Sequence, residues 1–146
     1  MTTTIEHVTV QQAREEQASG ATYIDVRSIP EFQLGHPEGA FNVPLTHADP
    51  ATRQMRPNPE FVDVVRASFP ADARLVIGCQ MGGRSQKAAE ILANAGYQNV
   101  ANVLGGYGGA PQMGHTGWVQ AGLPVERQGD AAREYEALHK KAGASR

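Results

Sequence analysis

An α/β fold, with a central parallel β-sheet flanked by helices in a single domain, is predicted for this 146-residue chain by three observations. Short runs rich in β-forming residues recur at 22–26, 74–78 and 99–104. Segments with helical caps and apolar residues at helical spacing separate them, and strands joined through helices pair in parallel by right-handed crossovers. The length suits one ordinary domain, which buries roughly 68–70% of the surface its unfolded chain exposes.

The elements follow in chain order. "TVQQAREEQASG" reads as a helix, with Thr9 as N-cap, Gln12 closing a capping box and Gly20 as the stop. "TYIDV" is the first strand, and "RSIPEFQLGHPEGAF", with two prolines and two glycines, is a loop leading to a brief extended "NVP". In "NPEFVDVVRASF", Asn58 is the expected cap and Pro59 the first helical position, with Phe61, Val64 and Val65 on one face. "RLVIG" at 74–78 is the second strand, "SQKAAEILANAG" at 85–96 a helix stopped by Gly96, and "NVANVL" the third strand. "GGYGGAPQMGHTG" at 105–117 holds six glycines and reads as a loop. The last segment is an amphipathic helix after Asp130, with Tyr135 and Leu138 on one face, able to pack on its own domain or on a second copy. The expected organisation is a main domain over 1–128 and a helical tail over 129–146, as monomer or homodimer.

Composition narrows the function. Thirteen basic against fifteen acidic residues give a net charge of −2 with no long run of either sign, so neither nucleic acid nor an anionic membrane is an expected partner. "MTTTIEHVTV" lacks the pattern of a secretory leader, and no apolar stretch reaches the roughly 20 residues of a membrane span, so a cytoplasmic protein is expected. One cysteine forms no internal disulfide, which fits a reducing compartment and leaves Cys79 as either a packing residue or a reactive thiol. The five histidines show no metal-ligand spacing, and no metal is expected.

"VIGCQMGGRSQKAAEIL" decides between the two roles of Cys79. The cysteine follows a strand, and ligands of open α/β sheets bind beyond the carboxyl ends of the strands. Gly82 and Gly83 let the loop curl so that backbone N–H groups converge, while the helix from Ser85 adds its positive end and Arg84 and Lys87 add cations. Such surroundings favour the thiolate, the form that acts as a nucleophile. A packing cysteine is the common alternative for "VIGC" alone, but it needs none of these neighbours. Cys79 and Arg84 are therefore the catalytic candidates, with Gln80, Met81, Gly82, Gly83 and Ser85 lining the substrate site.

"CQMGGR" resembles the active-site loop of rhodanese-fold sulfurtransferases. "IDVRSIPEFQLGHPEGAFNVP" resembles the family's N-terminal signature, "GYQNVANVLGG" its strand and glycine pair, and "GWVQAGLPVE" its closing segment, so the likeness covers about residues 5–126. It implies a doubly wound single domain and a cysteine that takes up sulfane sulfur as a persulfide, with no metal or organic cofactor. The donor would be thiosulfate or a persulfide, and the acceptor cyanide, a thiol or a protein. A persulfide carrier in a sulfur relay is the alternative. A phosphatase or arsenate reductase on the same fold is less favoured, because those relatives place five residues between cysteine and arginine and here there are four, Gln80 to Gly83. Asp25, Arg27 and Glu31 match the signature and read as structural, with Arg27 and Glu31 as a pair, and His36 as a satisfied loop histidine. The stretch between Gly106 and Trp118 is longer than the family's pattern, and reads as a lid, an acceptor-docking loop or a surface elaboration.

Overall fold

The computed structural model describes residues 5–127 and 129–144; the first four residues of the leader reading and position 128, the expected domain boundary, lie outside that range. The chain runs β1 (Glu6–Val8), α1 (Val10–Ala18), β2 (Thr22–Asp25), α2 (Ile29–Leu34), β3 (His36–Pro37), β4 (Phe41–Asn42), β5 (Thr46–Ala48) and β6 (Met55–Pro57). It continues through α3 (Phe61–Ser68), β7 (Leu75–Gly78), α4 (Gly83–Asn94), β8 (Val100–Val103), β9 (Val125–Glu126) and α5 (Tyr135–Ala144).

The main sheet has five strands in the order β1-β8-β7-β2-β4, all parallel. Strand alternation divides the core between its two faces. Leu75 and Ile77 of β7 point with Ile24 and Val26 into a cluster built with α3, α4 and α5, and Cys79 continues that set. Val76, Tyr23, Ala101 and Val103 point the other way, onto α1 and the fully buried Trp118. The central register Asp25↔Gly78 sets the ends of β2 and β7 side by side, so that Asp25 and Cys79 emerge together.

The cap of α1 is as expected. Gln12 N–H donates to Thr9 Oγ1 at 3.1 Å and Thr9 N–H donates to Gln12 Oε1 at 2.9 Å. The expected loop at 27–41 instead contains α2, opened by a second capping box between Ser28 and Glu31. The Asn58 cap is corrected in part: Asn58 Oδ1 accepts the Glu60 N–H at 3.0 Å, but α3 begins only at Phe61 with Glu60 at the N-cap, and Asn58 Nδ2 donates to Pro44 O at 2.9 Å and to Tyr135 Oη at 3.2 Å. Helix α4 begins at Gly83, two residues before the expected start, which moves Arg84 from the loop into the first helical turn.

The tail packs on its own domain. Tyr135, Leu138 and Ala142 of α5 are buried in the same cluster as Phe61, Val64 and Val65 of α3. Because Leu138 is 4% exposed, Leu138→Ala should cost about 2–5 kcal/mol, read as a lowered urea midpoint with an unchanged slope.

Candidate active site

Cys79 leaves the end of β7 with only 2% of its surface exposed. Gly82 N–H donates to Sγ at 3.1 Å, and the thiol donates to Ser85 Oγ at 3.3 Å. The loop can curl this tightly because Gly82 takes φ +124°, a conformation that side chains rarely adopt. The amino end of α4 adds its partial positive charge to the same point. Ser85 is held in turn by Asn102 of β8, whose Oδ1 accepts from Ser85 Oγ at 2.6 Å. Behind the strand, Gly78 makes room for the Tyr23 hydroxyl: a Cβ there would stand 1.8 Å from the oxygen. Burial, then Asp25, then Cys79 push the Tyr23 hydroxyl's pKa well above its ordinary value, so it stays a neutral group under the site.

Beside the cysteine loop lies a buried ion pair. Asp25 Oδ2 accepts from Arg27 Nη2 at 2.8 Å, and the same nitrogen donates to Gly35 O at 2.7 Å. Burial works against the Arg27 charge, but Asp25 outweighs it and raises the guanidinium's pKa. Arg27 Nη1 donates to Gln80 Oε1 at 3.4 Å, and its Cζ stands 4.3 Å from the centre of the Tyr107 ring. Arg27 therefore pairs with Asp25, not with Glu31 as the sequence suggests.

Glu31 reaches Arg84 instead, accepting from Nη1 at 2.7 Å and Nη2 at 3.0 Å. This fork joins the first turn of α2 to the first turn of α4. Arg84 holds the Glu31 carboxyl down to about 2, against the pull of its partial burial, and Glu31 raises the guanidinium. The Arg84 side chain is thus spent on Glu31, and its charge acts on the cysteine through space.

The inner part of the glycine-rich segment is fastened to the cysteine loop. Tyr107 N–H donates to Cys79 O at 2.7 Å, and Gly108 N–H donates to Gln80 O at 2.9 Å. Gly106 has φ +56°, and a Cβ on it would lie 2.3 Å from Cys79 O. Its outer part is more regular than a loop, with a 3₁₀ turn at Pro111–Met113 and a bridge between Ala110 and His115.

Two pockets flank the cysteine loop. One, about 380 Å³, is bordered by Gly83, Arg84 and Lys87 together with Phe61 and Ile91. The other, about 410 Å³, is bordered by Met81, Gly82 and Gly83 and by the outer glycine-rich turn. Of the residues expected to bind substrate, Met81, Gly82 and Gly83 face a pocket, Ser85 touches the sulfur, and Gln80 turns toward Arg27 and Gly108. His36 is buried, stacked on Phe32, with ring nitrogens 2.8 Å from Phe32 O and 3.3 Å from Glu126 Oε1. Sequence points to Tyr107, Met113 and His115 as the side chains of the glycine-rich segment able to approach the sulfur; Tyr107 covers Arg27, and Met113 and His115 border the second pocket. Asn102 escaped the sequence reading, although an amide in the middle of the strand run "NVANVL" is a signal that could have found it. Among the described residues, no group of His, Cys, Asp and Glu could hold a metal ion, and no helix is long and apolar enough to cross a membrane.

The sequence model of the rhodanese-like domain matches residues 9–109. Thiosulfate sulfurtransferase 16, chloroplastic, of Arabidopsis thaliana is 36% identical over 119 residues, covering 82% of this chain and 91% of that protein. Thiosulfate sulfurtransferase GlpE of Haemophilus influenzae is 32% identical over 120 residues, covering 82% and 92%. The crystal structure of Rv0390 from M. tuberculosis superposes with a TM-score of 0.71 at 27% identity, over 86% of this chain and all of that one.

The Glu31–Arg84 fork makes stability depend on acid. A carboxyl lowered from 4.5 to about 2 by folding stabilises fully above its unfolded value, and that contribution is lost as pH falls from about 4.5 to about 2. Solvent screens the half-exposed pair, so the effect is modest. Glu31→Gln should lower the urea midpoint at pH 7, and the gap to the unmodified protein should narrow steadily as pH falls from about 4.5 toward about 2, which denaturation at a series of pH values reads directly.

Proposed function

The chain belongs to the rhodanese-like family, and we propose that it is a rhodanese-type sulfurtransferase working through a Cys79 persulfide. The observation that carries this reading is the buried Sγ at the end of β7, receiving the Gly82 N–H at 3.1 Å and facing the first turn of α4. A donor group already aimed at sulfur stabilises negative charge there without reorganisation.

With thiosulfate as donor, the Cys79 thiolate attacks the outer sulfur. An S–S bond to Sγ forms, the bond to the sulfonate sulfur breaks, and its electron pair leaves on sulfite. The product Cys79–S–S⁻ is one atom longer and keeps one negative charge. In this reading the Gly82 N–H and the helix end hold that charge, and Ser85 can turn its hydroxyl hydrogen from Asn102 to the sulfur once the thiol proton is gone. Arg84 and Lys87 border the pocket on one side of Gly83 and draw the dianionic donor by charge, Arg84 while anchored by Glu31. Gln80 acts by fixing the loop through Arg27 and not by touching the donor. Four residues between Cys79 and Arg84 leave a ring suited to one sulfur atom, which favours sulfur transfer over chemistry on phosphate or arsenate. A thiol or cyanide then takes the sulfur away. We place the protein in the cytoplasm, since its one cysteine is free and must stay reduced to act, and we treat 129–146 as a helical tail on a main domain of 1–128.

Intact-protein mass after incubation with thiosulfate tests the reading. The unmodified protein should gain one sulfur atom and lose it again to cyanide, while Cys79→Ser should gain none; loading of the serine variant would overturn the mechanism. Arg84→Ala should slow loading by thiosulfate about tenfold or more, an electrostatic loss expected to shrink at high salt.

A further inference from the structure

We propose that the pocket between the cysteine loop and the outer glycine-rich turn is the acceptor site, and that it selects uncharged organic thiols with an apolar body. This rests on the sulfur-transfer reading above. The pocket, about 410 Å³, has Met81, Gly82 and Gly83 on one wall, Met113 and His115 on the other, and Asn102 between them. That volume suits a small organic molecule. Two of these residues are one step from the sulfur: Gly82 donates its N–H to Sγ, and Asn102 holds the Ser85 hydroxyl that Sγ touches.

Charge separates this pocket from its neighbour. Among the described residues, no Asp, Glu, Lys or Arg borders it, whereas Arg84 and Lys87 border the pocket on the other side of Gly83. A dianionic donor gains little here and much there. What this side offers is thioether: Met81 is 52% exposed and Met113 71% exposed, an arrangement that leaves polarizable, adaptable apolar surface facing a cleft. The Met113 wall is also preformed. Ala110 and His115 exchange backbone hydrogen bonds of 3.0 and 3.1 Å, and the base of the segment is fastened to Cys79 O through Tyr107 N–H.

The step assigned to this pocket is R–SH + Cys79–S–S⁻ → R–S–SH + Cys79–S⁻. The thiol proton passes to the outer sulfur of the persulfide, the thiol sulfur bonds to that outer sulfur, and the bond to Sγ breaks with its electron pair left on Cys79. No outside oxidant or reductant enters.

The test starts from protein loaded with thiosulfate and freed of donor, with the persulfide verified by mass. Its transfer rates to phenylmethanethiol and to mercaptosuccinate are compared in the unmodified protein, M113K and M113E, each normalised to the same thiol reacting with a free persulfide. The unmodified protein should prefer the neutral thiol. M113K should shift preference toward the dicarboxylate by about tenfold, and M113E should shift it about tenfold the other way, as a charge within a few ångströms of the bound thiol requires. Loading with the same preference in all three proteins, or a shift of the same sign in both variants, would overturn the inference and leave the sulfur-transfer reading standing. Failure of the unmodified protein to load would overturn both.

Discussion

A guanidinium removed from water is stable only where its charge and its donors are answered, and the Asp25–Arg27 pair meets that demand in a way that organises the site. Arg27 is 3% exposed and Asp25 1%. The carboxylate takes the Nε and one Nη, and the remaining donors reach Gly35 O and Gln80 Oε1 while Tyr107 covers the guanidinium face. Those partners belong to the end of α2, the cysteine loop and the glycine-rich segment. Satisfying one charge therefore fixes three loops relative to the end of β2, and the register Asp25↔Gly78 carries that frame to the cysteine.

A second pair closes the frame from the other side. Glu31 and Arg84 join the starts of α2 and α4, so the helix whose amino end faces the sulfur is tied to the helix that follows the buried pair. The exposures of the two pairs differ, and so do their functions. The buried one positions backbone and tolerates no loss of a partner, since an orphaned internal charge is costly. The half-exposed one contributes less to stability and leaves a positive group on the border of the pocket beside Gly83.

Local chemistry was legible and distant chemistry was not. The Thr9–Gln12 box, the parallel strands and the cysteine at a strand end were readable because each is decided within a few residues. Asn58 before Pro59 has the look of a cap, and its Oδ1 takes the Glu60 N–H, but the helix starts later and its Nδ2 is used by Pro44 and by Tyr135, 77 positions away. Helix α2 was hidden by prolines and glycines around it, although Ser28 and Glu31 spell a capping box once the pair is seen. Strand β1 has three residues, two of them exposed, and exists as a strand through its pairing with β8. The sequence marks out Arg84, but Arg84 could not be chosen over Arg27 as the partner of Glu31, 53 positions earlier, without the fold.

The glycines of 105–117 show how composition misleads when read as flexibility. Glycine lowers the cost of unusual backbone angles, and it also removes the side chain that keeps two backbones apart. Here the second property governs. A Cβ on Gly105 would sit 2.3 Å from Thr116 O, and one on Gly117 would sit 2.2 Å from Gly109 N, so the segment closes on itself as tightly as Gly106 closes on the cysteine loop. The ordering cost of a glycine-rich chain is met by backbone hydrogen bonds at its base, Tyr107 and Gly108 to the cysteine loop and Trp118 N–H to Gly106 O at 2.8 Å. Fully buried Trp118, whose Nε1 donates to Pro124 O at 2.7 Å, anchors the far end. Pinned at both ends, the segment presents only its outer turn to solvent, where Met113 stands over the same loop whose backbone holds the sulfur. The length added to this part of the chain thus becomes a hydrogen-bonded wall beside the Cys79 loop.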